Sequence, residues 1–474
     1  MTVLIKILQA IVSLGLLIIL HEGGHYLFAK LFKTRVKKFY LFFDYKFHLF
    51  STYDKWFRKL LGKQPVPKDE HGDYAYQGTE YGIGWIPLGG YVQIDGMIDE
   101  TQNADKLSSD PQPWEFRTKP AWQRLLIMLG GILMNFIVAF FIYSMVLFAW
   151  GQEYVKSEDM TNGLKFSKEA KTLGFVDGDI IMTIDGDSIE SWSPACLRTL
   201  STAHSASVLR SGQSLTIELP GKLNFLEMLE QPLFADYRMP MLVDSVLSGS
   251  PAEKIGLSKG DVITALNGTP TIDFNDLSTC LQSLRKDFSE QEVIFPSDSI
   301  KARTVTLSIA SGDSLRDVET VLTSDFTIGF LNKMPDYKTT VREYGFFESF
   351  PAGCAYGWNQ LTSYVSDLKY IFTKKGAQSV GGFITIGNIF PDVWDWHRFW
   401  MLTALLSIML GVVNVLPIPA LDGGHALFCL YEIITRRKPS VKFLDRAQYV
   451  GFFILIALLI FANLNDVLRL LGLM

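Results

Sequence analysis

The sequence predicts a multi-pass α-helical membrane protein. It is expected to have about four transmembrane helices, a membrane-associated β-hairpin and two tandem copies of a small domain. Three observations lead there. Four apolar stretches are long enough to cross a hydrocarbon core of about 30 Å. A short motif occurs twice between the second and third stretch. The composition is 48% hydrophobic and 13% aromatic over 474 residues, with mean hydropathy +0.18. That is too apolar for an ordinary soluble enzyme and too mixed for spans alone. The formal net charge is −5, and no long basic run occurs. Nucleic acid is therefore excluded as a partner, and the lipid bilayer is the expected one.

The first span, within residues 1–32, runs from Val3 to Phe32. It lacks a basic leader beyond Lys6 and a small-x-small cleavage site, so it reads as a retained span and not a signal peptide. The second, within 120–150, covers about Arg124–Trp150, with Trp122 and Trp150 as interface anchors. The third, 398–435, covers about Phe399–Pro417 and continues as a broken segment to Ile434. The fourth, 440–472, is about Phe443–Leu471. Basic clusters lie at Lys33, Arg35, Lys37 and Lys38, at Arg117, Lys119 and Arg124, and at Arg436, Arg437, Lys438 and Lys442. The positive-inside rule puts all three in the cytoplasm. Both termini and the stretch Gly151–His397 then lie outside, in the periplasm of a Gram-negative cell, with the chain in the inner membrane.

Residues 33–119 read as a mixed cytoplasmic loop. Within Tyr81–Ile94, Pro87, Gly89 and Gly90 separate two β-prone runs, which predicts a hairpin over about 80–96. It is either a small exposed sheet or a hairpin that dips into the membrane. The second is allowed where protein or a cavity satisfies its backbone.

The repeat aligns Ala170–Ile181 with Ala252–Ile263, each followed by a turn, Asp185-Gly186 and Asn267-Gly268. A helix start, Gly-Asp, a strand and an Xaa-Gly turn resemble the PDZ domain, giving one copy over 151–238 and another over 239–335. PDZ domains bind peptide ends by strand addition. A plain spacer role remains open, because fold alone does not give binding. Residues 336–397 hold a helix-like stretch, Gly345–Phe372, then Ser379–Ile386, expected close to the membrane surface. Cys196, Cys280, Cys354 and Cys429 form no CxxC pair and read as free thiols.

Chemistry is concentrated in Leu20-His21-Glu22-Gly23-Gly24-His25. On a helix, positions i and i+4 share a face, so His21 and His25 can address one ion, and Glu22 can serve as general base. Charged groups in mid-span are costly, roughly 2.5–3.5 kcal/mol each on insertion scales, and mark function. A third ligand is needed. In Asn414-Val415-Leu416-Pro417-Ile418-Pro419-Ala420-Leu421-Asp422-Gly423-Gly424-His425 the prolines break the helix just before Asp422. Asp422 is the preferred ligand, and His425, one turn on, is its rival.

These motifs resemble the site-2 protease family of intramembrane zinc metalloproteases, in its bacterial sigma-E-regulating branch, over nearly the whole chain. The resemblance implies Zn²⁺ on His21, His25 and Asp422, with Glu22 catalytic. It implies substrate contact at Asn414. It also makes the hairpin, with Gly89, Gly90 and Tyr91, a re-entrant loop that receives an unwound substrate strand. Asn135 is a further candidate for orienting the substrate or stabilising an oxyanion. The implied activity is hydrolysis within transmembrane segments, of anti-sigma factors or remnant signal peptides, with the PDZ pair gating access by size. The active site is expected toward the cytoplasmic side. The sequence departs from the family's usual residues at Gly23, at Gly130-Gly131 before Asn135, and at Gly381-Gly382-Phe383. The competing classes are an inactive scaffold presenting PDZ domains and a zinc transporter. The complete His, His, Glu, Asp set disfavours the first, and the lack of inverted repeats disfavours the second.

Overall fold

The computed structural model describes residues 2–67, 74–87, 89–97, 110–289 and 296–471. The chain forms two compact units, Met1–Gly151 with Glu343–Met474, and Gln152–Arg342.

The first unit is built on helices α1 (Thr2–Leu31), α2 (Ala121–Trp150), α3 (Phe346–Asp367), α4 (Phe383–Asn388), α5 (Trp396–Val415), α6 (Asp422–Thr435) and α7 (Val441–Leu470). Of these, α1, α2, α5 and α7 are long and apolar enough to cross a membrane. Their apolar residues run all round the helix, as lipid-embedded segments require. Helix α2 is central and packs against α1, α3, α5 and α6. Small residues make the contacts close. Gly24 of α1 meets Gly130 of α2 backbone to backbone, and Gly353 and Gly357 seat α3 on Ser144 and Phe140 of α2.

Helix α5 stops at Val415, because Pro417 cannot donate the next bond and clashes with the preceding turn. Ala420 then turns the chain with φ +96°, and α6 restarts at Asp422. Gly424 lets α6 pack on the main chain of Ile418 and Pro419, and Gly451 brings α7 onto Pro419. At its other end α7 holds the segment before α5. Asp466 accepts the N–H groups of Gly382 and Thr385, each at 3.0 Å, and Asn465 Nδ2 donates to Ala377 and Val380.

The predicted hairpin is corrected. Strands β1 (Val36–Leu41), β2 (Phe50–Ser51), β3 (Glu80–Ile83) and β4 (Tyr91–Ile94) form a sheet in the order β2-β3-β1-β4. The two runs around Pro87 and Gly90 do not pair with each other. The first, β3, lies parallel to β1, and the second, β4, lies antiparallel to it. The stretch between them is too long for a tight turn and spans the width of a third strand. That strand came from the basic cluster after α1, where Val36 and Tyr40 are buried. Tyr40 donates to the buried Glu80 carboxylate at 2.7 Å, which ties β1 to β3.

The second unit is a structural duplication. In its first half, strands 180–184, 187–188, 205–210 and 213–218 make a four-stranded sheet. In its second half, strands 262–266, 269–270, 304–311 and 314–321 repeat that order. Each sheet has an irregularity at the same place, 181/183 and 263/265. The repeated Gly-Asp has a local cause. Gly178 and Gly260 take φ near +98° and +94°, which favours glycine. Asp179 and Asp261 then accept the N–H of Val176 and Ser258, each at 2.9 Å. The halves are clamped by Lys165, whose Nζ lies 3.0 Å from Asp177, 3.0 Å from Asp273 and 2.7 Å from Asp276. The unit closes on itself, since Gln152–Val155 pairs antiparallel with Thr339–Arg342. All four cysteines are free.

Candidate metal centre

Helix α1 places His21 and His25 one turn apart, facing α2. The break after α5 delivers Asp422 to the same point. His21 Nε2 and His25 Nε2 each lie 3.2 Å from Asp422 Oδ2, and 3.3 Å from one another. Two donors about 2.0–2.1 Å from a zinc ion at the tetrahedral angle are about 3.3–3.4 Å apart, so the three separations match the edges of a zinc tetrahedron. Asp422 Oδ2 is buried and has no hydrogen-bond partner despite its two close imidazoles. The three groups converge on a common point. They are the His/Cys/Asp/Glu group among the described residues whose geometry could hold a metal ion.

The ring of His25 is oriented from behind. Its Nδ1 lies 2.8 Å from the carbonyl oxygen of Ile127, which can only accept, so the proton sits on Nδ1 and Nε2 keeps its lone pair. Gly131 leaves room for both rings, because a β-carbon there would run into His25 Nε2 and stand 2.6 Å from His21 Cε1.

A cavity of about 190 Å³ opens beside the three donors. His21, Glu22 and His25 line it, as do Gly90, Tyr91 and Val92 of the β4 side, Asn414, Asp422 and His425. Strand β4 is at the edge of its sheet, and Val92 lines the cavity together with Glu22. Gly90 is what lets the strand come so close, since a β-carbon there would stand 2.6 Å from Ile18 Cγ2 of α1. Tyr91 stacks on Tyr40 and Phe43 and donates to Asp44 at 3.0 Å. Burial, with Asp44 beside it, pushes the Tyr91 phenol far above its ordinary value, so it remains a donor.

The sequence-predicted residues divide. His21, Glu22, His25 and Asp422 share one site, with Asn414 Nδ2 3.5 Å from His21 Nε2. Gly89 packs on Phe43 and is absent from the cavity lining. Asn135 is also absent from that lining; it is fully buried, with its amide on His21 Nδ1. His425 faces the cavity but is not among the converging donors. The Ile127 carbonyl behind His25, and Val92 and Gln448 on the cavity wall, carry no sequence signal that distinguishes them.

A family model described as peptidase family M50 matches residues 73–458. The chain belongs to peptidase family M50. The match begins after α1, but full-length relatives extend over that helix too. Protease RseP of Yersinia pestis is 27% identical, covering 99% of this chain and 100% of its own. Regulator of sigma-E protease RseP of Salmonella typhimurium is 26% identical with the same coverage. A Xylella fastidiosa protein named as a zinc metalloprotease is 27% identical over 97% of each chain. This M50 chain is a zinc-dependent protease, and its four candidate spans make it an intramembrane one.

Proposed function

We propose that His21, His25 and Asp422 hold the zinc, and that Glu22 is the general base in hydrolysis of a peptide bond inside a transmembrane segment. The observation that carries this is the match of the three donor separations to a zinc tetrahedron beside the Glu22 carboxylate and the edge strand β4. Bound there, zinc supplies Lewis-acid polarisation of a carbonyl and a water whose pKa falls to about 7. Glu22, on the cavity wall beside the three donors, would take up a proton as general base and return it to the leaving amine. Asn414, beside His21 at the cavity wall, orients the substrate carbonyl. A helical peptide bond is shielded by its own hydrogen bonds, so the substrate must unwind, and its freed groups need partners away from water. The outer edge of β4, from Gly90 and Tyr91 onward, supplies them by strand addition.

The duplicated unit is read as two PDZ domains, 151–238 and 239–335, on the periplasmic side, with the active site toward the cytoplasm. They gate access by size, so that membrane proteins whose outer part has been removed, such as anti-sigma factors or remnant signal peptides, are cut. The test is metal content together with cleavage of a truncated membrane substrate. Glu22→Gln should keep zinc and lose cleavage. Asp422→Ala should lose zinc, while His425→Ala keeps it. Zinc lost with His425→Ala and kept with Asp422→Ala sinks the assignment.

A further inference from the structure

Behind His21, on the side away from the cavity, Asn135 is fully buried. Its amide nitrogen lies 3.1 Å from His21 Nδ1, while its Oδ1 has no partner. Leaving a buried acceptor unpaired is costly, because the group has given up water and gained nothing in exchange. The two ends of an asparagine amide exchange by a half-turn of its terminal torsion, so the chemistry of the neighbour decides which end faces it.

At His21 that chemistry is set by the metal. Nε2 can give its lone pair to zinc only if the ring proton sits on Nδ1. A proton on Nδ1 needs an acceptor, and the Asn135 amide is the group hydrogen-bonded there. With its nitrogen toward the ring, Asn135 would favour the tautomer that has no lone pair for the metal. With Oδ1 toward the ring, the buried acceptor gains a donor and the metal-binding tautomer is selected.

We propose that Asn135 is a positioning residue. Its Oδ1 accepts the His21 Nδ1–H and holds Nε2 free for zinc, as the Ile127 carbonyl does for His25. The two acceptors lie two turns apart on α2, with Gly131 between them against the His21 ring. Ser407 of α5 fixes the upper one by donating to the Asn135 main-chain oxygen at 2.7 Å. Helix α2 gives no donor to the metal, yet it sets the tautomer of both histidines. This rests on His21 and His25 being zinc donors.

The test is the zinc affinity of the purified full-length chain in detergent, measured by chelator competition starting from metal-free protein. Asn135→Ala and Asn135→Leu should bind zinc ten- to a hundredfold more weakly. Asn135→Asp offers acceptors only and should bind within tenfold of the parent, or more tightly. A merely structural role would not follow acceptor chemistry in this way. The proposal is overturned if the alanine and leucine variants bind zinc like the parent. It is equally overturned if the aspartate variant loses as much affinity as leucine. If alanine and leucine do not fold, aspartate decides alone: binding within tenfold of the parent supports the proposal, and a larger loss overturns it. His25→Ala and Asp422→Ala, run alongside, separate the two layers. Should they retain zinc, the metal-centre assignment fails, whatever Asn135 does.

Discussion

Gly23 and Gly24 are neighbours in one helix, and the structure gives them opposite consequences. A β-carbon on Gly23 meets nothing within 4 Å. One on Gly24 would stand 2.5 Å from the Gly130 carbonyl carbon and 2.9 Å from the Gly131 nitrogen, both main-chain atoms of α2. Ordinary carbon contacts are about 3.5–4.0 Å, so α1 and α2 must separate by about 1 Å. The His25 Nδ1 to Ile127 bond, now 2.8 Å, then stretches beyond hydrogen-bonding range. Overpacking of this kind costs about 1–3 kcal/mol. Loss of an outer partner of a metal-binding histidine lowers affinity about 10–100-fold. Gly24→Ala should therefore lower the melting temperature and weaken zinc binding by that factor. Gly23→Ala should be neutral or stabilise by up to about 1 kcal/mol, the helix preference of alanine. Chelator competition and thermal unfolding in detergent measure both. Equal zinc affinity in the two variants would refute the reasoning.

Gly90→Val should push β4 away from Ile18 and the Tyr40 carbonyl. Cleavage of a membrane substrate should fall at least tenfold with zinc content unchanged; unaltered cleavage would count against pairing of substrate with β4. Removing residues 156–338 leaves Gln152–Val155 free to pair with Thr339–Arg342. The shortened enzyme should keep its zinc and cut a substrate with a bulky outer domain better than the full chain does; undiminished discrimination would end the size-gate idea. In the duplicated unit, burial opposes the charge of Lys165, but Asp276, Asp273 and Asp177 outweigh it and hold the amine above its ordinary 10.5. Burial likewise opposes the charge of Asp276, yet Lys165 holds that carboxyl below its ordinary 3.8. The amine's stabilisation is thus complete below pH 10.5 and the carboxylate's complete above 3.8, so the clamp weakens only at the two extremes. Lys165→Met should cost about 3 kcal/mol at neutral pH, read as faster proteolysis of the unit.

The site was readable where chemistry is local or carried by rare residues. His21, Glu22 and His25 sit on one turn. A carboxylate directly after Pro417 and Pro419, inside an apolar run, is too costly to keep there without a cation to bind. The repeat was readable because Gly178 and Gly260 need left-handed backbone, and the aspartate after each caps the same turn. The sheet was not. Its central strand, Val36–Leu41, has Lys37 and Lys38 on it, and its pairing with both Glu80–Ile83 and Tyr91–Ile94 is long-range. The role of the glycines was legible only in part. In sequence, Gly130 and Gly131 read only as departures from the family's usual residues; in space Gly24 and Gly130 are where two backbones meet. The partner of Asn135 was invisible for the same reason, because it depends on how α1 crosses α2.

Asp422 follows His21 by 401 residues (422 − 21). At translation rates of about 5–20 residues per second, roughly 20–80 s separate synthesis of the first and last of the three donors. During that interval α1, the sheet and α2 are already made, and the second unit closes on its own paired ends. The growing chain nevertheless carries an incomplete donor set and no finished catalytic centre. If Asp422 is the third donor as proposed, the metal site cannot be completed until the segment after α5 has been made. On the proposed assignment, the separation of the donors along the chain makes synthesis through Asp422 a condition for metal binding.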